Sequence, residues 1–147
     1  MQGVIITLAG LLLTLPAMAQ GFTTVPPDRP VSMGDVEAVC TGASLNAREN
    51  PAWASYPLRV EIAGKGGQYL GDVHLSLSQN DKTLAEVACD GPWILFRLAA
   101  GRYRLEAQTE GKTTSSNAYV PASGQGRIIL RFPDLGGEIG ATPQAGN

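Results

Sequence analysis

Between Leu58 and Phe132 apolar and polar residues alternate with a period of two, broken at short intervals by turn-forming clusters. Leu58, Val60 and Ile62 alternate with Arg59 and Glu61, and "GKGG" ends the run. Val73, Leu75 and Leu77 alternate with His74, Ser76 and Ser78 up to "QNDK". A third, less regular strand runs from Thr83 to Cys89. Asp90-Gly91 turns the chain into Trp93–Leu98, apolar on both faces except at Arg97. After "AAG", Tyr103, Leu105 and Ala107 alternate with Arg102, Arg104 and Glu106 up to "EGK". Thr113–Val120 is polar and reads as an edge strand; "PASGQG" then leads to Ile128, Leu130 and Phe132, set against Arg127 and Arg131. Seven short strands at this spacing predict an all-β, seven-stranded antiparallel sandwich of the immunoglobulin or transthyretin-like kind. No window of the region repeats at 3.6 residues, which excludes a helical core.

The ends of the chain follow other rules. Residues 1–19 are apolar and finish in Ala17-Met18-Ala19, the small-x-small pattern of a signal peptide. The apolar stretch Val4–Leu15 is about a dozen residues, short for a membrane span; a retained anchor is the lesser alternative. No Lys or Arg precedes it, a departure from the usual pattern. A periplasmic or secreted protein is the expectation. Residues 20–57 carry five prolines between Pro26 and Pro57 and predict an extended N-terminal arm, with one short helical turn in "MGDVEAVCTG". Residues 133–147 are rich in Gly, Pro and Ala and predict a disordered tail. The sandwich domain itself is placed at 58–132.

Export changes the reading of the two cysteines. An even pair in an oxidising compartment is most simply a disulfide, and Cys40 with Cys89 would fasten the arm to the third strand. The closed loop of about 50 residues corresponds to roughly 4 kcal/mol in the chain-entropy view. Two buried free thiols are the alternative. Because the strand pattern begins after the arm, the sandwich is expected to survive loss of the bond.

"GPWILFRLAAGRYRLEAQTEGK" resembles the carboxypeptidase regulatory-like domains, whose transthyretin-like sandwiches carry an L-x-x-G-x-Y strand entry and a further glycine one hairpin later. Leu98, Gly101, Tyr103 and Gly111 fill those positions. With Gly91, Pro92 and Trp93 and both cysteines, the ordered set is similar to a group of small exported proteobacterial proteins of this class. Ala99-Ala100 stand where that group often has prolines. The resemblance implies an accessory sandwich, and no metallopeptidase zinc motif accompanies it.

Catalytic patterns are missing from the sequence. His74 is the only histidine, and it shares a strand face with Asp72, so a metal held by the two is conceivable; a solvent-facing histidine between serines is the plainer reading. There is no G-x-S-x-G, "GKGG" is too short for a phosphate loop, and Asp90 before Gly91 serves a turn. Trp93 reads as core, while Trp53 suits either packing or stacking on a ligand ring. No cofactor and no metal site is expected.

Charge adds one lead. The chain is mildly acidic, which argues against general nucleic-acid affinity. Yet residues 97–131 hold six Arg and Lys against two Glu, while 20–96 hold five against nine Asp and Glu. Arg102, Arg104, Arg127 and Arg131 all take outward strand positions, so one basic sheet face could meet an anionic envelope component or an acidic protein patch. Equally, they serve as solvated charges that keep edges from pairing. The expected function is a non-catalytic exported module that binds a protein or envelope component. Assembly through an edge strand is the alternative, and a metal-dependent enzyme using Asp72 and His74 ranks below it.

Overall fold

The computed structural model describes Gly10 and residues 21–136. Residues 1–20 apart from Gly10, where a signal peptide is expected, and residues 137–147 of the expected tail lie outside the described residues. Among the described residues ten strands form, not seven. The arm supplies β1 (Thr23–Thr24), β2 (Val31–Met33) and β3 (Val36–Thr41), followed by α1 (Leu45–Arg48) and a 3₁₀ turn at Pro51–Ser55. The alternating region supplies β4 (Leu58–Gly64), β5 (Val73–Gln79), β6 (Lys82–Cys89) and β7 (Trp93–Arg97). It continues through β8 (Gly101–Thr109), β9 (Lys112–Val120) and β10 (Gly126–Phe132).

Sheet one has the order β1-β6-β5-β8-β9 and sheet two the order β10-β4-β7-β3-β2. Leu58, Val60, Ile62, Ile94 and Phe96 from sheet two meet Val73, Leu75, Leu77, Val87 and Leu105 from sheet one in a single buried core. β7 is the middle strand of sheet two and β9 an edge of sheet one, as the pattern predicted.

Three expectations are corrected. "MGDVEAVCTG" forms the β2–β3 hairpin, not a helical turn: Met33 pairs with Val36 across Gly34-Asp35. Gly34 has φ 59°, at the first turn position, where a type II′ hairpin favours glycine. Val36, Ala38 and Cys40 face the core, while Val39 is buried on the other side by Trp53, Tyr56 and Leu95, so both faces of β3 are covered. The arm is therefore part of the sandwich, since β3 pairs with β7 over five residues.

The sheets are also mixed, not purely antiparallel. β1 runs parallel to β6, and β10 runs parallel to β4 from Gly126↔Leu58 to Phe132↔Gly64. Gln125 fixes the second arrangement by donating to the carbonyls of Trp53 (2.8 Å) and Tyr56 (2.9 Å). The next amide, Gly126 N–H, donates to Pro57 O at 2.8 Å. The chain thus re-enters sheet two at the start of β4, and both strands leave that point together. Beyond β10 the first residues of the tail are held: Lys65 N–H donates to Leu135 O and Gly66 N–H to Gly136 O.

Cys40 and Cys89 form a disulfide with Cα atoms 5.6 Å apart. It joins β3 of sheet two to β6 of sheet one, so it ties the two layers rather than a loose arm. Gly91 lies against this staple, its N–H 3.3 Å from Cys40 Sγ; a Cβ there would sit 2.4 Å from Thr41 O, so only glycine fits. At the other end of β7, Gly101 (φ 150°) lets the chain enter β8. Tyr103 then buries its ring and donates its hydroxyl to Ala99 O at 2.6 Å. Burial raises the Tyr103 pKa, outweighing a smaller lowering from Gln79, so the hydroxyl stays a donor at ordinary pH. Gly111, at φ 73° beside Glu110 at 49°, closes the β8–β9 hairpin.

Candidate functional site

In each sheet the residues that alternate with the core point away from it, giving the molecule two outer faces. The four outward arginines divide between them. Tyr103 and Leu105 turn into the core from sheet one, which puts Arg102 and Arg104 on its outer face. Leu130 and Phe132 turn into the same core from sheet two, which puts Arg127 and Arg131 on the opposite side of the sandwich. The single basic face expected from all four is thus corrected: two sheets with a shared core cannot present both pairs to one flat partner.

On sheet two, register brings Arg127 beside Arg59 and Glu61 beside Trp93. Glu61 is only 1% exposed although it sits at an outward position. Its carboxylate accepts from Arg127 through Nε and Nη2, from Arg59 Nε at 3.2 Å and from the Tyr69 hydroxyl at 2.7 Å. Burial alone would raise the Glu61 pKa; hydrogen bonds from Arg127 and Tyr69 and the charges of Arg127 and Arg59 outweigh it and hold the carboxyl below its ordinary value of 4.5. The same pairing raises Arg127. The Arg59 guanidinium lies 4.4 Å above the Trp93 ring, and Arg48 lies 4.8 Å above Tyr69. Arg48 also donates to Gly42 O at 2.8 Å, holding the chain ahead of α1 near Trp93. Trp93 is therefore buried, but under this outer cover and not between the sheets.

A second group lies farther along the same face. Glu37 accepts from the Tyr56 hydroxyl and pairs with Arg97, whose guanidinium sits 4.4 Å over the Tyr56 ring. Burial, then the Glu37 hydrogen bond and charge, raise the Tyr56 pKa against the opposing effect of Arg97. Trp53 packs edge-on to Tyr56 and is buried with Val39 and Leu95, which gives it a packing role. The arginines of these two groups are occupied within the protein. Arg131 has no ion pair among the described residues.

Sheet one differs. Arg102 stands opposite Tyr119 and Arg104 opposite Asn117 in the β8–β9 ladder, with Ser78 on the other flank of Arg104. Together with Gln79, Asn80 and Asp81 these residues line an open groove of about 540 Å³. Asn80 and Asp81 form the β5–β6 turn with φ 51° and 62°, lifting it beside the groove. Tyr119 is 64% exposed. Arg104 Nη2 donates to Ser115 Oγ at 3.1 Å, so its head leans over β9. Among the described residues neither Arg102 nor Arg104 makes an ion pair.

Asp72 and His74 lie at the opposite end of β5. His74 is exposed and its ring stacks on Phe22, with centroids 4.7 Å apart. Asp72 holds a turn at φ 50° and its carbonyl accepts from Thr109 Oγ1 at 3.1 Å. Among the described residues no three His, Cys, Asp or Glu side chains are grouped for a metal. Sequence reasoning missed the Glu61 cluster, because Glu61 reads as an outward charge. The signal that could have found it is the crowding of Arg59, Glu61, Tyr69 and Trp93 around one turn of the fold. No protein-family model matches this sequence, and no curated protein matches it.

Proposed function

We propose that this protein is a non-catalytic exported binding module, a carboxypeptidase regulatory-like sandwich of the transthyretin-like kind. It takes an anionic group of a protein or envelope component in the groove on sheet one. The observation that carries this reading is the contrast in arginine pairing. Among the described residues Arg102 and Arg104 stand exposed over hydroxyl and amide groups and make no ion pair, although Asp81 lines the same groove, and an exposed aromatic ring flanks them. Guanidinium groups in this state keep their donors for bidentate bonds to a carboxylate or phosphate. The disulfide supports an oxidising compartment such as the periplasm.

The experiment is crosslinking in the periplasm, with captured material identified by mass spectrometry, for the wild type and for Arg102→Glu/Arg104→Glu. The wild type is expected to capture a partner that the double variant loses. Equal capture by both would remove the groove from the reading. Assembly through an edge strand is the second reading, favoured by the length of β9, nine residues paired on one side only.

A further inference from the structure

The long free edge and the unpaired arginines lie side by side. β9 pairs with β8 from Lys112↔Thr109 to Val120↔Gly101 without a register shift. Among the described residues no backbone group of Thr113–Val120 bonds any other element. In an antiparallel ladder every second residue of an edge strand directs its N–H and C=O outward. Proteins usually blunt such an edge with a charge, a proline, a bulge or extreme shortness. Two of the other edges are short: β1 has two residues and β2 has three. β9 carries no charge, proline or bulge between Thr113 and Val120.

The outer side of this edge presents Thr113, Ser115, Asn117 and Tyr119; Arg102 and Arg104 back Tyr119 and Asn117, while Glu106 backs Ser115, so the arginine-backed half of the strand is the part that suits carboxylates. The two arginines are two positions apart on β8, about 7 Å along the strand. The Arg104 head already reaches Ser115 on β9. A strand added beside β9 directs alternate side chains to this outer face, at the same spacing. We infer that β9 receives an extended acidic segment of a partner protein as an added strand, its alternate carboxylates meeting Arg102 and Arg104. This rests on the sheet-one reading above and names its partner. Backbone pairing supplies a template that a flexible polysaccharide lacks, and the arginines select acidic segments among extended ones.

A synthetic peptide of alternating Thr and Glu is the probe, with two controls. One is the same peptide N-methylated at every second backbone amide, made in both phases; the other is polygalacturonate. Fluorescence anisotropy should show the peptide binding the wild type. One phase of N-methylation should abolish binding and the other should leave it, because only one set of amides faces β9. Arg102→Glu/Arg104→Glu should weaken binding by about tenfold or more. Binding unaffected by either methylation phase, or absent altogether, overturns strand addition. If polygalacturonate then binds and the double variant releases it, the groove reading stands and strand addition alone fails. If the variant changes neither ligand, both fall.

Discussion

On sheet two Arg59 and Arg127 close around Glu61, and Arg97 pairs with Glu37. On sheet one Arg102 and Arg104 stand over serine, asparagine and tyrosine side chains with no carboxylate bonded to them among the described residues. All five arginines sit at outward strand positions, and alternation treats them alike. What separates them is whether a carboxylate on the same or an adjoining strand is bonded to the guanidinium: Glu61 is held by Arg59 and Arg127, whereas Glu106, equally close along β8, makes no ion pair with Arg104. A guanidinium beside Glu61 spends its donors on a buried carboxylate and braces the sheet. A guanidinium beside Asn117 or Tyr119 bonds no carboxylate among the described residues, and Arg104 gives one donor to Ser115. Outward position alone therefore does not say whether an arginine is paired within the protein; the carboxylates around it do.

The comparison can be strained first through the bond both sheets share. Replacing Cys40 and Cys89 together by Ser should cost about 4 kcal/mol, from the loop of 49 residues' separation that the bond closes. Because β3 lies between β7 and β2, proteolysis of the unbridged protein should cut residues 21–57 and the later strands together. Early, selective loss of 21–57 in gel-resolved digests would restore a separable arm.

The Glu61 cluster comes next. Glu61→Gln should destabilise the protein by about 2 kcal/mol, below the usual cost of breaking a buried pair, because Arg127 is half-exposed and can turn to water. A melting temperature unchanged from wild type would mean that sheet two does not lean on this carboxylate. The pH dependence has a definite sign. A carboxyl with a lowered folded pKa adds stability that is complete above its ordinary value of 4.5 and disappears as pH falls through the folded value. The difference in melting temperature between wild type and Glu61→Gln should be level above pH 4.5 and shrink below it. A difference that grows on acidification contradicts the lowered value.

The smallest effect on stability is expected on the other face. Arg102→Glu/Arg104→Glu should shift unfolding free energy by no more than about 0.5 kcal/mol in urea, since exposed residues without partners contribute little. A loss near that of Glu61→Gln would show that sheet one also uses its arginines internally, and the contrast would collapse.

Most strands after Leu58 were legible because polar or charged residues hold their outer positions, which writes the period into the residues; β7, covered on both faces, was legible instead as a continuous apolar run between turn signals. β3 was not, because Val39 is buried on its outer side as fully as Ala38 and Cys40 are on the inner. A strand covered on both faces loses its alternation. The parallel placement of β10 depends on Gln125 meeting the carbonyls of Trp53 and Tyr56, contacts between distant parts of the chain that no local pattern encodes. Arg102 and Arg104 were legible as outward charges, and Cys40 with Cys89 as a pair. Their surroundings were not: the split of the arginines over two faces follows from β9 leaving sheet one and β10 entering sheet two.

That crossing also governs how the molecule comes together. Leu58 opens β4, and its ladder partner Gly126 is not made until all of sheet one has been synthesised. Sheet two therefore closes last, by a contact of long sequence separation, the kind that places folding toward the millisecond-to-second range. Until β10 arrives, β4 is itself an unprotected border carrying Leu58, Val60 and Ile62. A chain cut short before Gly126 is left with that border permanently open, and aggregation rather than a smaller sandwich is its expected fate.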